Sequence, residues 1–377
     1  MEAALKKLKT LQTEMEDCLI ERGSQIEAML AALIASAHVL LLGPPGTAKS
    51  LLARIVCDAI TEATYFEWLL TKFSTPEELF GPISMTGLKN DEYRRITKGK
   101  LPEAHVALVD EIFKGNSAIQ NNMLSIVNER KFHNNGTVVD VPLISCIGAS
   151  NELPQGEELG ALYDRFLIKF WVEYIEDDNS FCDLLEGVKG NTEPKTKITL
   201  EEIKELQKAL ESITVSRDFL NTVREIHHEL ERVGVTASDR RWKAAIKIMK
   251  AYALLRGQQE VTTDELEVLA DILWHKPEDR KTVYNVVAPR ANPLNLKAVE
   301  YLDAAKEIYK KWQSVPKNAD PKVTQEATLE ANGSLTEIGK TIKDDIDCGK
   351  ESKTKKLKDA LETVTRYQKE VVASFGI

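Results

Sequence analysis

The continuous apolar run Val39-Leu40-Leu41-Leu42 breaks off at Gly43-Pro44-Pro45-Gly46-Thr47-Ala48-Lys49-Ser50-Leu51. Four apolar residues are too few for a helix, and a run of them that stops at a glycine-proline turn reads as a buried parallel strand. Strand, glycine-containing turn and helix start, in that order, aim several backbone amides at one point, which is what a phosphate group needs. In such a loop Lys49 sits on the β- and γ-phosphates of a nucleotide and the Ser50 hydroxyl faces a magnesium ion. The general pattern has glycine before the lysine. Here it is Ala48, whose methyl predicts helical backbone angles at that position.

Two further apolar runs end in polar residues. His105-Val106-Ala107-Leu108-Val109 stops at Asp110-Glu111, and Leu143 through Ala149 stops at Ser150-Asn151. Open α/β sheets build their ligand sites at such strand ends. Downstream of a phosphate loop, Asp110 is the expected metal partner and Glu111 is placed to polarise an attacking water. The expected fold class is therefore α/β, a parallel sheet flanked by helices. Between the last two runs, 131–141 carries Asn134-Asn135-Gly136 flanked by Phe132 and Val138-Val139, a hairpin signal, and 80–101 is a second, irregular insertion.

After about residue 194 the strand-like runs cease. Thr199 with Glu202, and Thr262 with Glu265, match the capping box that opens a helix, and Gly234 and Gly257 read as helix stops. Three parts are expected: a nucleotide-binding core over 1–193 with N-terminal helices and both insertions, an α-helical lid over 194–276, and a helical C-terminal extension over 277–377. In the extension, which Pro316 and Pro321 interrupt, helices are expected at 297–313, 335–347 and 353–374.

With 43% hydrophobic and 29% charged residues, the 377-residue chain can build two or three cores. Its net charge of −9 leaves no overall basic field to hold nucleic acid or an anionic membrane, so neither is an expected partner. No signal peptide or membrane-spanning segment is read. The five cysteines are widely spaced without a CxxC pair, which argues against zinc and disulfides and fits a reducing, cytoplasmic setting. No trustworthy metal-ligand spacing links the histidines, and His227 and His228 are expected on different sides of a helix.

With both halves of a phosphate site in place, the chain resembles the MoxR family of AAA+ ATPases, most closely its RavA-like members. The residues that carry this are the loop at 43–50, Phe73-Ser74-Thr75-Pro76-Glu77-Glu78 with Phe80-Gly81-Pro82, Leu101-Pro102-Glu103-Ala104, Val109-Asp110-Glu111-Ile112, Asn128-Glu129-Arg130, Ala149-Ser150-Asn151-Glu152-Leu153-Pro154, Ala161-Leu162-Tyr163-Asp164-Arg165-Phe166 and Ser238-Asp239-Arg240-Arg241-Trp242. They span residues from about 20 to 275, and Ala48 is usual in that group.

The resemblance implies a three-layer AAA+ P-loop domain followed by a helical lid, ATP and Mg2+ as cofactors, and a homo-oligomeric ring, hexameric in the family. Carried over by position, Asn151 resembles sensor 1, Arg165 the arginine finger that reaches the neighbouring subunit, and Arg240 the sensor 2 arginine that closes on the phosphates of its own subunit. Arg130 stays a rival for the finger and Arg241 for sensor 2, while Asn151 also reads as a plain turn residue. The base is expected near Leu19 to Gln25. In this branch each insertion is a hairpin, and both project from the face of the ring where partners are gripped. RavA-like proteins work with a von Willebrand A-domain protein and carry a small β domain in a longer tail, a domain expected to be missing here. The expected activity is ATP hydrolysis coupled to chaperone-like remodelling of a partner protein. The alternatives are a nucleotide-controlled scaffold with incidental hydrolysis and, against the acidic balance, a DNA-translocating motor.

Overall fold

The computed structural model describes residues 1–154, 156–187, 193–316, 321–348 and 354–373. Packing divides them into two compact units, Met1–Asn221 with Gly234–Arg280, and Thr222–Val233 with Lys281–Ile377.

The first unit opens with α1 (Glu2–Cys18) and α2 (Gly23–Ala35), then β1 (Val39–Leu42), α3 (Lys49–Asp58), β2 (Ile60–Thr61) and β3 (Tyr65–Leu69). Next come α4 (Pro76–Phe80), α5 (Met85–Leu88), β4 (Val106–Asp110), α6 (Ser117–Glu129), the hairpin β5 (Lys131–Asn134) and β6 (Thr137–Asp140), β7 (Ser145–Ser150), α7 (Glu157–Arg165) and β8 (Ile168–Trp171). It continues through α8 (Asp178–Glu186), β9 (Ile198–Thr199), α9 (Leu200–Ala209), the start of α10 (Arg217–Arg232), α11 (Asp239–Leu255) and α12 (Leu269–Ile272). Five strands form one sheet in the order β3-β4-β7-β1-β8, and every neighbouring pair is parallel. Parallel strands must be covered on both faces, and Val39–Leu42 and Val106–Val109 are accordingly buried throughout.

The sequence reading found three of these strands. It missed β3, an edge strand in which only Phe66 is fully buried, and β8, whose apolar run is interrupted by Lys169. Both capping boxes form as expected, the one at Thr199 opening α9 and the one at Thr262 opening a 3-10 turn, Thr263–Val268. Gly234 and Gly257 have φ of 81° and 78°, the left-handed geometry of helix stops.

The insertion 80–101 is not a hairpin: a single antiparallel bridge between Ile83 and Arg95 frames the short α5. The arms approach closely at its base, where the Ile96 amide donates to the Pro82 carbonyl (2.8 Å). A Cβ at Gly81, φ 96°, would lie 1.9 Å from the Ile96 carbonyl oxygen. The insertion docks on the β5–β6 hairpin through Asn134, whose Oδ1 accepts from the Arg95 amide (2.7 Å) while its Nδ2 donates to the Arg95 carbonyl (3.1 Å). Met85, Tyr93, Ile96, Val138 and Val139 are left exposed on the pair.

A buried polar layer joins α11 and the segment after α12 to the α7–β8 connection. Arg241, 3% exposed, donates to the carbonyls of Ile272 (2.6 Å), Asp164 (3.0 Å), Phe166 (2.8 Å) and Leu167 (2.9 Å), and to Asp164 Oδ1 (3.1 Å). Tyr163 donates to the His275 carbonyl (2.7 Å). Lys169 is fully buried, with Nζ 3.2 Å from the Trp274 carbonyl and 3.8 Å from the centre of the Tyr163 ring. Burial first, and the Arg241 charge second, push the Lys169 ammonium down to about 6. A free lysine titrates near 10.4, so between about pH 6 and 10 the unfolded chain binds a proton that the folded one lacks, and stability should rise with pH by up to about 1.4 kcal/mol per unit. Lys169→Met should flatten that slope and raise the denaturant midpoint at pH 7. Midpoints at pH 7, 8 and 9 for both proteins measure it, and parallel slopes would show that the amine is charged in the fold.

The second unit comprises the remainder of α10 with α13 (Asp279–Ala291) from Lys281 onward, α14 (Pro293–Gln313), α15 (Pro321–Cys348) and α16 (Lys355–Ala373). Its core gathers Ala305, Leu335, Ile342, Leu357, Ala360, Val364 and Val371, and Tyr309 stacks on Tyr367 at 4.3 Å. The helix expected at 335–347 starts much earlier, because Pro321 begins α15 rather than interrupting it. A first-turn proline gives up only an amide that would have no helical partner. The helix expected at 353–374 is α16; 353 and 374 lie outside the described residues. Nothing in the sequence reading anticipated α13, which contains Pro289.

Candidate nucleotide site

The strand ends Leu42, Asp110 and Ser150 lie along one edge of the sheet, where β1, β4 and β7 stop, and the phosphate loop leaves from β1, between β7 and β8. Gly43, φ 142°, is where the loop turns under the β8 exit: a Cβ there would sit 2.2 Å from the Val172 carbonyl oxygen. Gly43→Ala should therefore cost on the order of 3 kcal/mol or more of stability. Gly46→Ala is the control. There φ is 80° but a Cβ meets nothing within 4 Å, which leaves only the left-handed penalty of about 1 kcal/mol. Urea midpoints of the two variants test the contrast; equal losses would mean that the loop can move off β8.

Ala48 departs from expectation. Its φ of 61° and ψ of 24° are left-handed, not helical. The glycine of the general pattern is there to reach that conformation without a Cβ, and this chain adopts it with one.

The Lys49 ammonium, 6% exposed, donates to the carbonyls of Gly43 (2.8 Å) and Pro44 (2.7 Å) and to Asn151 Oδ1 (2.9 Å). Burial lowers its pKa, while Asp110 and Glu111 oppose the shift. Ser50 donates to Asp110 Oδ2 at 2.7 Å. Glu111 follows in the left-handed conformation, φ 52°, which turns its carboxylate back along the sheet edge. Oε1 accepts from Asn151 Nδ2 (2.7 Å) and lies 3.3 Å from Lys114 Nζ, while Oε2 is buried without a partner. Lys49, Ser50, Asp110, Glu111 and Asn151 are thus one connected cluster. A hydroxyl and carboxylate oxygens at contact, beside an orphaned carboxylate oxygen, are the hard donors Mg2+ takes, so the residues fit the metal that the phosphate loop implies.

Beside the loop opens a cavity of about 680 Å³ whose walls include Pro45, Asn151, Trp171, Tyr174 and Ile175. The segment 19–25, where the base was expected, braces these walls rather than forming them. Buried Arg22 donates to the Glu173 carbonyl (2.7 Å) and reaches the Thr47 carbonyl (3.5 Å), and the Glu21 carboxylate accepts from the amides of Glu176 and Asp177, each at 3.0 Å. The residues missed by sequence reasoning are Trp171 to Glu176. The signal was the apolar stretch Ile168 to Val172, hidden by Lys169. Leu51 is exposed on α3.

Arg165 and Arg240 are not at this edge. They line a second cavity, of about 350 Å³, with Ser36, His38, Asn128, Arg130 and Lys247. His38 precedes β1 and Leu167, another wall residue, precedes β8, so this cavity opens at the start of the strands, separated from the phosphate loop by the length of β1, roughly 13 Å. Arg240 was expected to close on the phosphates of its own subunit. Instead it sits beside Arg165, whose pKa it lowers after burial does, and donates to Asn128 Oδ1 at 3.0 Å. Arg165 has Nη1 3.4 Å from Asp164 Oδ2 and a buried, unpartnered Nε. The rivals are committed elsewhere. Arg241 lies in the buried layer described above, and Arg130 donates to the carbonyls of Val127, Ser36 (3.1 Å) and Ile144 (3.3 Å). The Cys146 amide donates to His38 Nδ1, and burial together with Arg130 pushes this histidine down to about 3, so it stays neutral.

His227 and His228, expected to diverge, both approach Glu231 Oε2, at 3.7 and 3.5 Å, on the surface of α10.

The family "MoxR domain in the MoxR-vWA-beta-propeller ternary systems" matches residues 6–208, and an AAA lid domain matches residues 218–287. Two uncharacterized proteins of Methanocaldococcus jannaschii are 38% identical over 339 residues (90% of this chain, 87% of theirs) and 36% identical over 340 (89% and 90%). The chaperone MoxR1 of Mycobacterium tuberculosis is 25% identical over 283 residues, 70% of this chain and 73% of its own. In fold, the chain is similar to the crystal structure of an ATPase candidate from Cytophaga hutchinsonii, with a TM-score of 0.62 at 18% identity, covering 77% of this chain and 96% of that one. A phosphate loop, an acidic strand end and an asparagine gathered on one edge of a parallel sheet, with a family match over more than half its length, make this chain a member of the MoxR family of AAA+ ATPases.

Proposed function

We propose that the protein hydrolyses ATP at sites shared between subunits of a ring, with Arg165 and Arg240 of one subunit completing the phosphate pocket of the next. The observation that carries this is the separation within one chain. The phosphate loop and its carboxylates lie at one edge of the sheet, and the arginines with uncommitted donors lie at the other. An assembly that repeats edge to edge brings the two halves together, whereas a lone subunit does not.

In this reading Lys49 leaves its loop carbonyls for the β- and γ-phosphates, and Ser50 and Asp110 would hold Mg2+, which would offset phosphate charge. Glu111 takes a proton from the water that attacks the γ-phosphate in line, and Asn151 orients that water. The guanidinium of Arg165 from the adjoining subunit offsets charge on the transferring group. The cavity at Trp171 and Tyr174 takes the base. A hexamer follows from family likeness, as does the output, chaperone-like remodelling of a partner protein. The docked insertions, with Met85, Tyr93 and Val138 exposed, are the surface for that partner. A von Willebrand A-domain protein is the partner class to which the family's description points.

The test is to mix subunits carrying Lys49→Ala with subunits carrying Arg165→Ala. Each alone should be inactive, and mixed rings should recover part of the turnover, since some interfaces then pair an intact loop with an intact arginine. No recovery in rings shown to be mixed would refute the shared site.

A further inference from the structure

Four cations border the cavity at the start of the strands, Arg130, Arg165, Arg240 and Lys247, and no carboxylate lines it among the described residues. That is a strong local excess on a chain of net charge −9. Arg130 uses its donors on three carbonyls, and the nearest acid to Arg165, Asp164, is also bonded to Arg241. Lys247 is the remaining one. It makes no hydrogen bond or ion pair among the described residues, and its pKa is lowered by burial and then by Arg130. Lys247 is exposed at the mouth of the cavity, so water solvates its ammonium, and an anion entering the cavity would meet a counter-charge that no described side chain already occupies. Its position is not accidental to the helix: Arg240, Ala244 and Lys247 follow one another at i, i+4 and i+7 on the cavity face of α11. Seven residues of helix span about 10 Å, so Lys247 meets a different part of any ligand from the part Arg240 meets.

We propose that Lys247 is a binding residue for the polyphosphate of the adjoining subunit's nucleotide, contributing to its retention rather than to the chemical step. This rests on the shared-site reading. A compact, unpaired ammonium two turns along from Arg240 supplies attraction to ground state and transition state alike, which raises affinity without raising the maximal rate.

The experiment is an ATP titration of steady-state phosphate release by the full chain, the Lys247→Gln and Lys247→Arg variants, and Lys243→Gln, an exposed lysine of the same helix outside the cavity. Lys247→Gln should raise the half-saturating ATP concentration at least fivefold with kcat within about twofold, Lys247→Arg should restore it, and Lys243→Gln should behave as the parent. Adding Lys49→Ala subunits, which bring an intact Lys247, should lower the half-saturating concentration of Lys247→Gln rings. An unchanged titration for Lys247→Gln overturns the proposal, as does a defect that mixing cannot relieve, which would place the lysine's action within its own subunit. If Lys49→Ala and Arg165→Ala also fail to complement, the shared site itself has failed; if they do complement, only the role of Lys247 has.

Discussion

Subunits carrying Glu111→Gln are expected to bind ATP as the parent does and to release phosphate about 10²- to 10⁴-fold more slowly, the range lost when a positioned base is removed. The substitution isolates the base. A glutamine keeps the length of the side chain and a carbonyl oxygen that can still accept from Asn151 Nδ2, the contact now made at 2.7 Å. What disappears is the charge, and with it the capacity to take a proton from water. The oxygen left buried without a partner in this structure, Oε2, is the one available for that purpose. Lys49, Ser50 and Asp110 are untouched, so equilibrium binding of a fluorescent ATP analogue should be unaltered within about twofold while turnover collapses. Equal rates for variant and parent would remove Glu111 from the chemistry; lost binding would make it part of the pocket's structure instead.

Arg165→Ala should lower kcat by about 10³-fold or more, the lower end of what an arginine supplied to a transferring phosphoryl group contributes, or about 4 kcal/mol of barrier. The side chain has one 3.4 Å contact with its neighbour Asp164, so its loss should hardly disturb the fold, and thermal melting should confirm that. Arg165→Lys should recover little, because a point charge cannot reproduce a planar fork of donors. Arg130→Ala would behave differently. Its guanidinium closes the carbonyls of Val127, Ser36 and Ile144, so stability rather than kcat should suffer first. A variant of Arg165 that kept full activity in intact rings would turn attention to Arg240.

The parts of the site legible in the sequence were those made by contiguous residues. Gly43 to Ser50, Asp110-Glu111 and Ser150-Asn151 each announce a strand end, and the sheet aligned them because parallel strands entering from one side must also leave on one side. Ala48 shows the limit of local reasoning. Its alanine argued for helical angles, and the loop imposed left-handed ones, a local cost of about 1 kcal/mol that surrounding contacts outweigh. Lys169 hid β8 for a related reason: a lysine interrupts an apolar pattern, and its burial becomes tolerable only beside the Tyr163 ring and the Trp274 carbonyl, the latter 105 residues away in the chain. The choice between Arg240 and Arg241 could not be read at all. Adjacent helix residues point about 100° apart, and which of them faces the buried layer depends on how the helix is seated.

The sequence by itself determined the phosphate loop, the acidic strand end, the α/β class and the two capping boxes, because each is written in neighbours whose backbone geometry is set within a few residues. Only the tertiary structure decided where the arginines stand, which segment walls the cavity beside the phosphate loop, and that the helix after Ser238 turns Arg240 and Lys247 toward the start of the strands. Those are matters of packing between elements, where the energy lies in long-range contacts that no short stretch of chain encodes.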